Sequence, residues 1–259
     1  MQSTKSRFHQ RRTFLLSALA VGAAGAVGLQ TDALAWDRYE QVDGNGNVKR
    51  QAREAGHFTA VAMALSGKVE VRRGERDSVA IEADDNLLPL IETVVEDGTL
   101  QIRTRHAVSI HTRKLRVFVT VRQLERLALA GSGDIDADRM DGARVQFDIG
   151  GSGTIRVGKV EAERIVVGVG GSGNLRVEGG AVRTVSISVG GSGDIDFARV
   201  RAESANVTIA GSGDATVWVR DSLSTTMMGS GSVAYYGDPR VAKSMMGSGN
   251  VRRLGATPG

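Results

Sequence analysis

The chain has 259 residues, with 34 Gly, 3 Pro, no Cys and only 4% aromatic residues. Glycine at this level without proline excludes collagen, and the absence of Cys excludes disulfides, thiolate metal sites, thiol nucleophiles and lipid attachment at a lipobox cysteine. Most of the net charge of +4 sits at the start, where Lys5, Arg7, Arg11 and Arg12 face Asp32 alone; beyond residue 35, 29 basic and 28 acidic residues remain. With no basic run and no Arg/aromatic interleaving, the footprint of a nucleic-acid binder is absent.

Residues 1–35 read as a cleavable export leader. A polar, basic start gives way at Arg11-Arg12-Thr13-Phe14-Leu15-Leu16 to an apolar stretch that reaches Leu29. Ala33-Leu34-Ala35 then supplies the small-x-small pattern that signal peptidase accepts, which places cleavage after Ala35 and makes Trp36 the mature N-terminus. The pair Arg11-Arg12 followed by Phe14-Leu15 resembles the twin-arginine signal, with Gln10 and Leu16 departing from the usual pattern. An ordinary Sec leader is the alternative. No further membrane-spanning segment is expected once the leader is removed.

Residues 36–56 are polar, contain Gly44-Asn45-Gly46-Asn47 and read as a linker. From 57 to 126, strand patterns without strict repetition appear at Phe58–Leu65, Lys68–Arg72, Ser78–Glu82, Ile91–Val95, Leu100–Arg105 and Leu115–Val121, with a hairpin signal at Glu96-Asp97-Gly98. This part is expected either to form irregular first coils of a solenoid continued by residues 127–254 or to stand as a small β domain.

The region 127–254 is a repeat. Gly-Ser-Gly occurs seven times, with glycine pairs Gly131/Gly133, Gly151/Gly153, Gly171/Gly173, Gly191/Gly193, Gly211/Gly213, Gly229/Gly231 and Gly247/Gly249. The spacing is four times 20 and then twice 18 residues. An alternating apolar set leads into each early turn, such as Val145, Phe147 and Ile149, or Ile165, Val167 and Val169. A polar residue comes after each turn (Asp134, Thr154, Asn174, Asp194, Asp214, Ser232, Asn250), and an apolar one comes next (Ile135, Ile155, Leu175, Ile195, Ala215, Val233, Val251).

Period two on both sides of a glycine turn means strand, turn, strand. A unit of about 20 residues cannot bury its own apolar face, so the units must stack. The fold class expected is all-β, a parallel β-helix or β-solenoid with Ile/Val ladders inside. At about 4.8 Å per coil, seven coils span on the order of 34 Å. The glycines are expected to provide positive φ at the corners, and the Asp or Asn after them to satisfy turn N–H groups. A Greek-key sandwich also spaces strands closely, but it does not require the same turn residues in every unit.

The last two units are shorter and carry Met227-Met228, Tyr235-Tyr236, Pro239, Met245-Met246, Arg252 and Arg253. They read as core packing and a cap, with an apolar docking patch as the other option. Residues 255–259 are a tail.

The order Phe58…Val61, Val69-Glu70-Val71, Asp84-Asp85-Asn86-Leu87-Leu88 and Asp97-Gly98-Thr99-Leu100, leading into repeated Gly-Ser-Gly-Asp, resembles one bacterial family. That family is the putative auto-transporter adhesin, head GIN domain, and the resemblance covers about residues 57–254. It implies a parallel β-helix-like fold and an envelope or extracellular location, periplasmic or at the cell surface, and carries over no catalytic or binding residues. No C-terminal segment suited to a membrane barrel comes after the repeats, so self-transport is not expected.

Motifs of known chemistry fail on spacing. Gly150-Gly151-Ser152-Gly153-Thr154 lacks the last glycine of a nucleophile elbow, and no Gly-Lys-Ser/Thr stands after any of the turns. Calcium-binding β-rolls repeat every nine residues and place Asp one position later than Asp194. His57, His106 and His111 show no ligand spacing, and Asp134/Asp136 and Asp194/Asp196 read as solvated outer-face pairs. No metal, cofactor or catalytic residue is therefore expected. The expected role is binding, adhesion or envelope scaffolding, with a glycan or an envelope protein as partner and self-association left open. A polysaccharide-active β-helix enzyme is the rival, although coils this short leave no room for the long loops that build such an active site.

Overall fold

In a computed structural model of the chain, the residues described are 40–259 apart from 107 and 113. The residues expected to carry the export signal, Arg11 and Arg12, and the cleavage site, Ala33, Ala35 and Trp36, lie outside the described residues. The chain opens with β1 (Glu40–Asp43) and β2 (Val48–Arg53), then β3 (Ala60–Met63), β4 (Lys68–Arg73) and β5 (Ser78–Asp84). A short 3-10 turn at Leu88–Leu90 precedes β6 (Ile91–Glu96), β7 (Thr99–Thr104), β8 (Val108–His111) and β9 (Arg116–Val121). The repeats supply β10 (Arg126–Leu129), β11 (Asp134–Ile149), β12 (Thr154–Val169), β13 (Asn174–Val177), β14 (Gly180–Val189) and β15 (Ile195–Gly211). The last coils are β16 (Asp214–Gly229), β17 (Ser232–Tyr236), β18 (Arg240–Gly247) and β19 (Asn250–Gly255).

The expected solenoid is the fold. In the repeats, strand residues pair with their equivalents one coil away, in parallel and mostly without slippage. Ile135, Ile155, Leu175, Ile195, Ala215, Val233 and Val251 form one unbroken ladder. All but the last are buried. Because side chains alternate along a strand, a slip by one residue would turn every Ile and Val out to water, and this fixes the register. Phe147 and Phe197 meet edge to face inside the stack, 6.4 Å between ring centroids. Strands that lead into the turns form one column, β6–β7–β3–β10–β11–β12–β14–β15–β16–β18. Strands that leave the turns form a second, β2–β5–β9–β4–β11–β12–β13–β15–β16–β17–β19. The long strands belong to both columns because they bend around the core.

The first coils do not follow chain order. The coil built from β7 and β9 stacks outside that of β3 and β4, which in turn sits on β10 and β11. β2 on β5, β5 on β9 and β6 on β7 pair antiparallel and close this end of the stack. Apart from β8, which pairs with β1 in a separate two-stranded sheet, the strands between Ala60 and Val121 are therefore continuous with the repeats in one sheet, within a single compact unit, Arg38–Gly259. The hairpin signal is realised between β6 and β7, where Asp97 and Gly98 both have positive φ (48° and 71°) as a primed turn requires.

Within the stretch expected as a linker, 36–56, the described part, from Glu40 onward, contains two strands. β1 pairs with β8, and β2 pairs with β5. Every residue of β2 except Arg53 is exposed, so its composition is that of a solvated segment, and only long-range pairing makes it a strand. Asp84, 2% exposed, fastens the start of the chain by accepting hydrogen bonds from Gly46 N (2.8 Å) and Thr112 Oγ1 (2.7 Å).

At the other end, none of the described residues closes the stack. All residues of β18 are exposed. Met227 is core, as expected, but Met228, Met245 and Met246 are not.

Candidate functional site: an uncharged outer face

The glycine turns form a column along one corner. Glycine is needed there for a different reason from the positive φ expected of it. Among the fourteen turn glycines only Gly211, Gly229 and Gly247 have positive φ (148°, 134° and 127°). The requirement is close stacking: a Cβ on Gly131 would lie 2.6 Å from Leu65 O, and one on Gly171 2.5 Å from Gly151 O. Gly151, Gly153, Gly191, Gly193, Gly213 and Gly231 would each strike the carbonyl of the equivalent glycine one coil earlier at still shorter range. Gly173, between Ile149 Cγ2 and Gly153 O, and Gly249, against Gly231 O, are similarly confined.

The column also reveals an eighth turn, Leu65-Ser66-Gly67. Gly133 stacks on Gly67, and Ser66 Oγ lies 2.8 Å from Ser132 Oγ. Its signal in the sequence is the Ser-Gly pair after the alternating Val61, Met63 and Leu65. The Ser side chains stand exposed in a row, equivalent to one another and so unlike a single activated nucleophile.

The polar residues after the turns do satisfy backbone N–H groups, but between coils. Asp134 Oδ1 accepts from Thr154 N (3.1 Å), Asn174 Oδ1 from Asp194 N (3.0 Å), Asp194 Oδ1 from Asp214 N (3.3 Å) and Asp214 Oδ1 from Ser232 N (2.8 Å). The carboxylates two positions further on are paired too. Asp136 meets Lys68 (2.7 Å) and Arg156 (3.6 Å), Asp196 meets Arg176 (3.8 Å), and Glu70 meets Arg116 (2.6 Å). Asp134/Asp136 and Asp194/Asp196 thus tie coil to coil, and each exposed pair contributes about 0–1 kcal/mol. His57 lies 2.7 Å from Asp77, which also accepts from Arg122 N. Among the described residues no group of three or more His, Asp or Glu is placed to hold a metal ion.

The outer face of the other column is different in kind. In β12, β14, β15, β16 and β18 the outward positions before each turn are Val166 and Gly168, Ser186 and Ser188, Asn206 and Thr208, Ser224 and Thr226, and Ala242 and Ser244. The position beside the corner is Gly170, Gly190, Ala210, Met228 and Met246 in turn. At these positions no Asp, Glu, Lys or Arg occurs over five strands, in a chain that is 24% charged; the next outward position holds Arg164 and Arg240 in the first and last strands, with Thr184, Ser204 and Ser222 between them. Further up, Arg126 and Asp148 project from it as a mutual ion pair (2.8 Å), and beyond them comes a small-residue floor of Ala62, Ala64, Ala128 and Ala130. The sequence holds the signal: opposite parity to the apolar set, five, three and one residues before each Gly-Ser-Gly. Sequence reasoning passes over these residues, because small polar side chains on a strand read as ordinary solvated surface.

Taken together, the fold and this face define a class: a β-solenoid with regularly spaced surface columns and no assembled catalytic group among the described residues. The family model described as "Putative auto-transporter adhesin, head GIN domain" matches residues 57–239, and the chain belongs to that family. No functionally curated protein matches the chain. Among solved structures, one described as a putative adhesin from Bacteroides fragilis is 19% identical and superposes with a TM-score of 0.76, covering 82% of this chain and all of the other. One described as a putative lipid binding protein from Parabacteroides distasonis is 24% identical, with a TM-score of 0.70 over 83% of this chain and all of the other. A putative adhesin from Parabacteroides merdae is 20% identical, with a TM-score of 0.66 over 83% and 99% of the two chains. At these identities the likeness shows the fold. No helix among the described residues is long and apolar enough to cross a membrane.

Proposed function

We propose that the chain is exported by its twin-arginine-like leader to the periplasm or cell surface, and that it acts there without catalysis as a binding module. The extended partner lies along the uncharged face. The observation that carries this reading is the run of Ser, Thr and Asn side chains from Ser186 to Ser244 with no charge among them. A charged sheet face holds its hydration and selects an oppositely charged partner. A face of short hydroxyls and an amide loses less on desolvation than a charged one and offers donors and acceptors that repeat about 4.8 Å apart. That spacing suits a polymer whose own hydroxyls recur along its length. Each hydrogen bond is worth about 0.5–1.5 kcal/mol, so the affinity has to come from repetition along the face.

A glycan of the envelope is therefore the first candidate, and an extended envelope protein the second. The adhesin description of the family accords with either. The test is co-sedimentation of the protein, starting at Trp36, with isolated peptidoglycan, lipopolysaccharide and whole envelopes. Pelleting that a soluble glycan competes away supports the glycan reading. A protein that stays in the supernatant with all three defeats it, and release of new reducing ends would instead identify an enzyme.

A further inference from the structure

Five of the seven large apolar side chains exposed among the described residues belong to the last two coils: Met228, Val241, Met245, Met246 and Leu254. Met246 is 74% exposed. Val241 and Met245 continue the buried ladders that pass through Leu223 and Met227, but among the described residues no coil lies beyond them. The same end is basic. Between Gly237 and Gly259 there are Arg240, Lys243, Arg252 and Arg253 against Asp238 alone. Exposed apolar groups ringed by cations require an explanation, since a soluble domain rarely leaves such a patch bare.

A second copy is a poor occupant. Two β18 edges paired with inward residues against inward residues would enclose Lys243, which sits at an inward position beneath the buried Thr225. They would also bring two like-charged ends together. An inward charge on an edge strand is a known block to strand addition, and it acts equally against a foreign strand. A surface that needs no strand pairing escapes both objections. Arg and Lys side chains can reach phosphate groups while their stems and the neighbouring Met and Leu side chains enter the boundary between headgroups and acyl chains.

We propose that the C-terminal coil, Arg240–Gly255, is a docking end for an anionic phospholipid surface, with Met245, Met246 and Leu254 as the inserting groups and Arg240, Lys243 and Arg252 on the lipid phosphates. This end shares β18, with Ser244 and Met246, with the Ser/Thr/Asn face, but vesicles of phospholipid alone carry no glycan, so the two proposals can still fail separately. The test uses the chain from Trp36, because Arg38–Gly259 forms its own compact unit and the apolar leader would bind lipid by itself. The protein is sedimented with vesicles of phosphatidylglycerol mixed into phosphatidylcholine and with vesicles of phosphatidylcholine alone.

Binding is expected to the first and not the second, and to fade in high salt. Arg240→Ala and Lys243→Ala should each lower the partition constant about fivefold, and Met246→Ser should lower it without changing the charge. All three positions are exposed, so loss of fold is not expected and is checked by circular dichroism. Equal binding to both vesicles, no binding to either, or binding indifferent to all three substitutions overturns the proposal. A doubled mass in light scattering that Met246→Ser reverses would also overturn it, in favour of a second copy.

Discussion

Replacing Gly153 by Ala tests whether the turn glycines exist to let coils stack. The backbone at this position is not in the left-handed region, so chirality does not forbid a side chain. The obstacle is the preceding coil: the new methyl would strike Gly133 O and lie 2.9 Å from Leu129 Cδ2. A flexible side chain could yield, but a carbonyl inside the parallel ladder cannot move without its coil. Asn174 N donates to Gly153 O over 3.0 Å in the next ladder step, so displacing this turn strains that bond as well. Overpacking costs about 1–3 kcal/mol, and the gain in chain stiffness from Gly to Ala returns about 0.5–1 kcal/mol. A net loss on the order of 1–2 kcal/mol is expected. Gly150 is the internal control, because a Cβ there meets nothing within 4 Å. Urea unfolding followed by far-ultraviolet circular dichroism should place Gly150→Ala at or slightly above the parent and Gly153→Ala well below it. Equal midpoints for the two variants would refute the stacking account. Since each coil contacts only its neighbours, Gly153→Ala is also expected to broaden the transition by uncoupling the two halves of the stack.

Two further predictions concern stability. Thr225 is 1% exposed, its Oγ1 has no hydrogen-bond partner among the described residues, and it continues a ladder of Phe147, Val167, Ile187 and Val207. Thr225→Val removes an orphaned hydroxyl at constant shape and should raise stability by about 1 kcal/mol in the same urea assay. For Asp77, burial pushes the carboxyl pKa up, but hydrogen bonds from His57 and Arg122 N and the charges of those residues outweigh burial and leave it below the usual value. A lowered folded-state pKa contributes stability that is complete above the unfolded value of about 3.9 and is lost as pH falls through the folded value. Asp77→Asn should therefore flatten the decline of stability with pH below about 4 and leave its neutral-pH slope unchanged, as read from urea midpoints across pH.

Much of the fold was legible because a solenoid repeats its chemistry in register. Gly151-Ser152-Gly153, with Ile149 before it and Ile155 after it, fixes turn, face and period at once. The parts that escaped depend on partners far away in sequence. β2 has the composition of a linker, and only Val79–Asp84 makes it a strand. Nothing local in Thr99–Thr104 indicates that it stacks outside Ala60–Met63, because parallel pairing reads the same from either side. The reason for the glycines was hidden as well, since a carbonyl 20 residues away leaves no local mark. The uncharged face was written in the sequence at Ser186, Ser188, Asn206, Thr208, Ser224 and Thr226, but single small polar residues carry no signal until stacking aligns them.

The most direct test of the binding surface places one charge on each of the two faces. Thr208→Lys, on the uncharged face, and Thr216→Lys, on the neighbouring charged column, are sedimented with the envelope fraction that retains the parent chain. Both positions point outward, so neither variant is expected to lose its fold. Loss of pelleting for Thr208→Lys with retention for Thr216→Lys is the predicted result. Equal pelleting of the two variants would contradict the claim that the uncharged face is the binding surface.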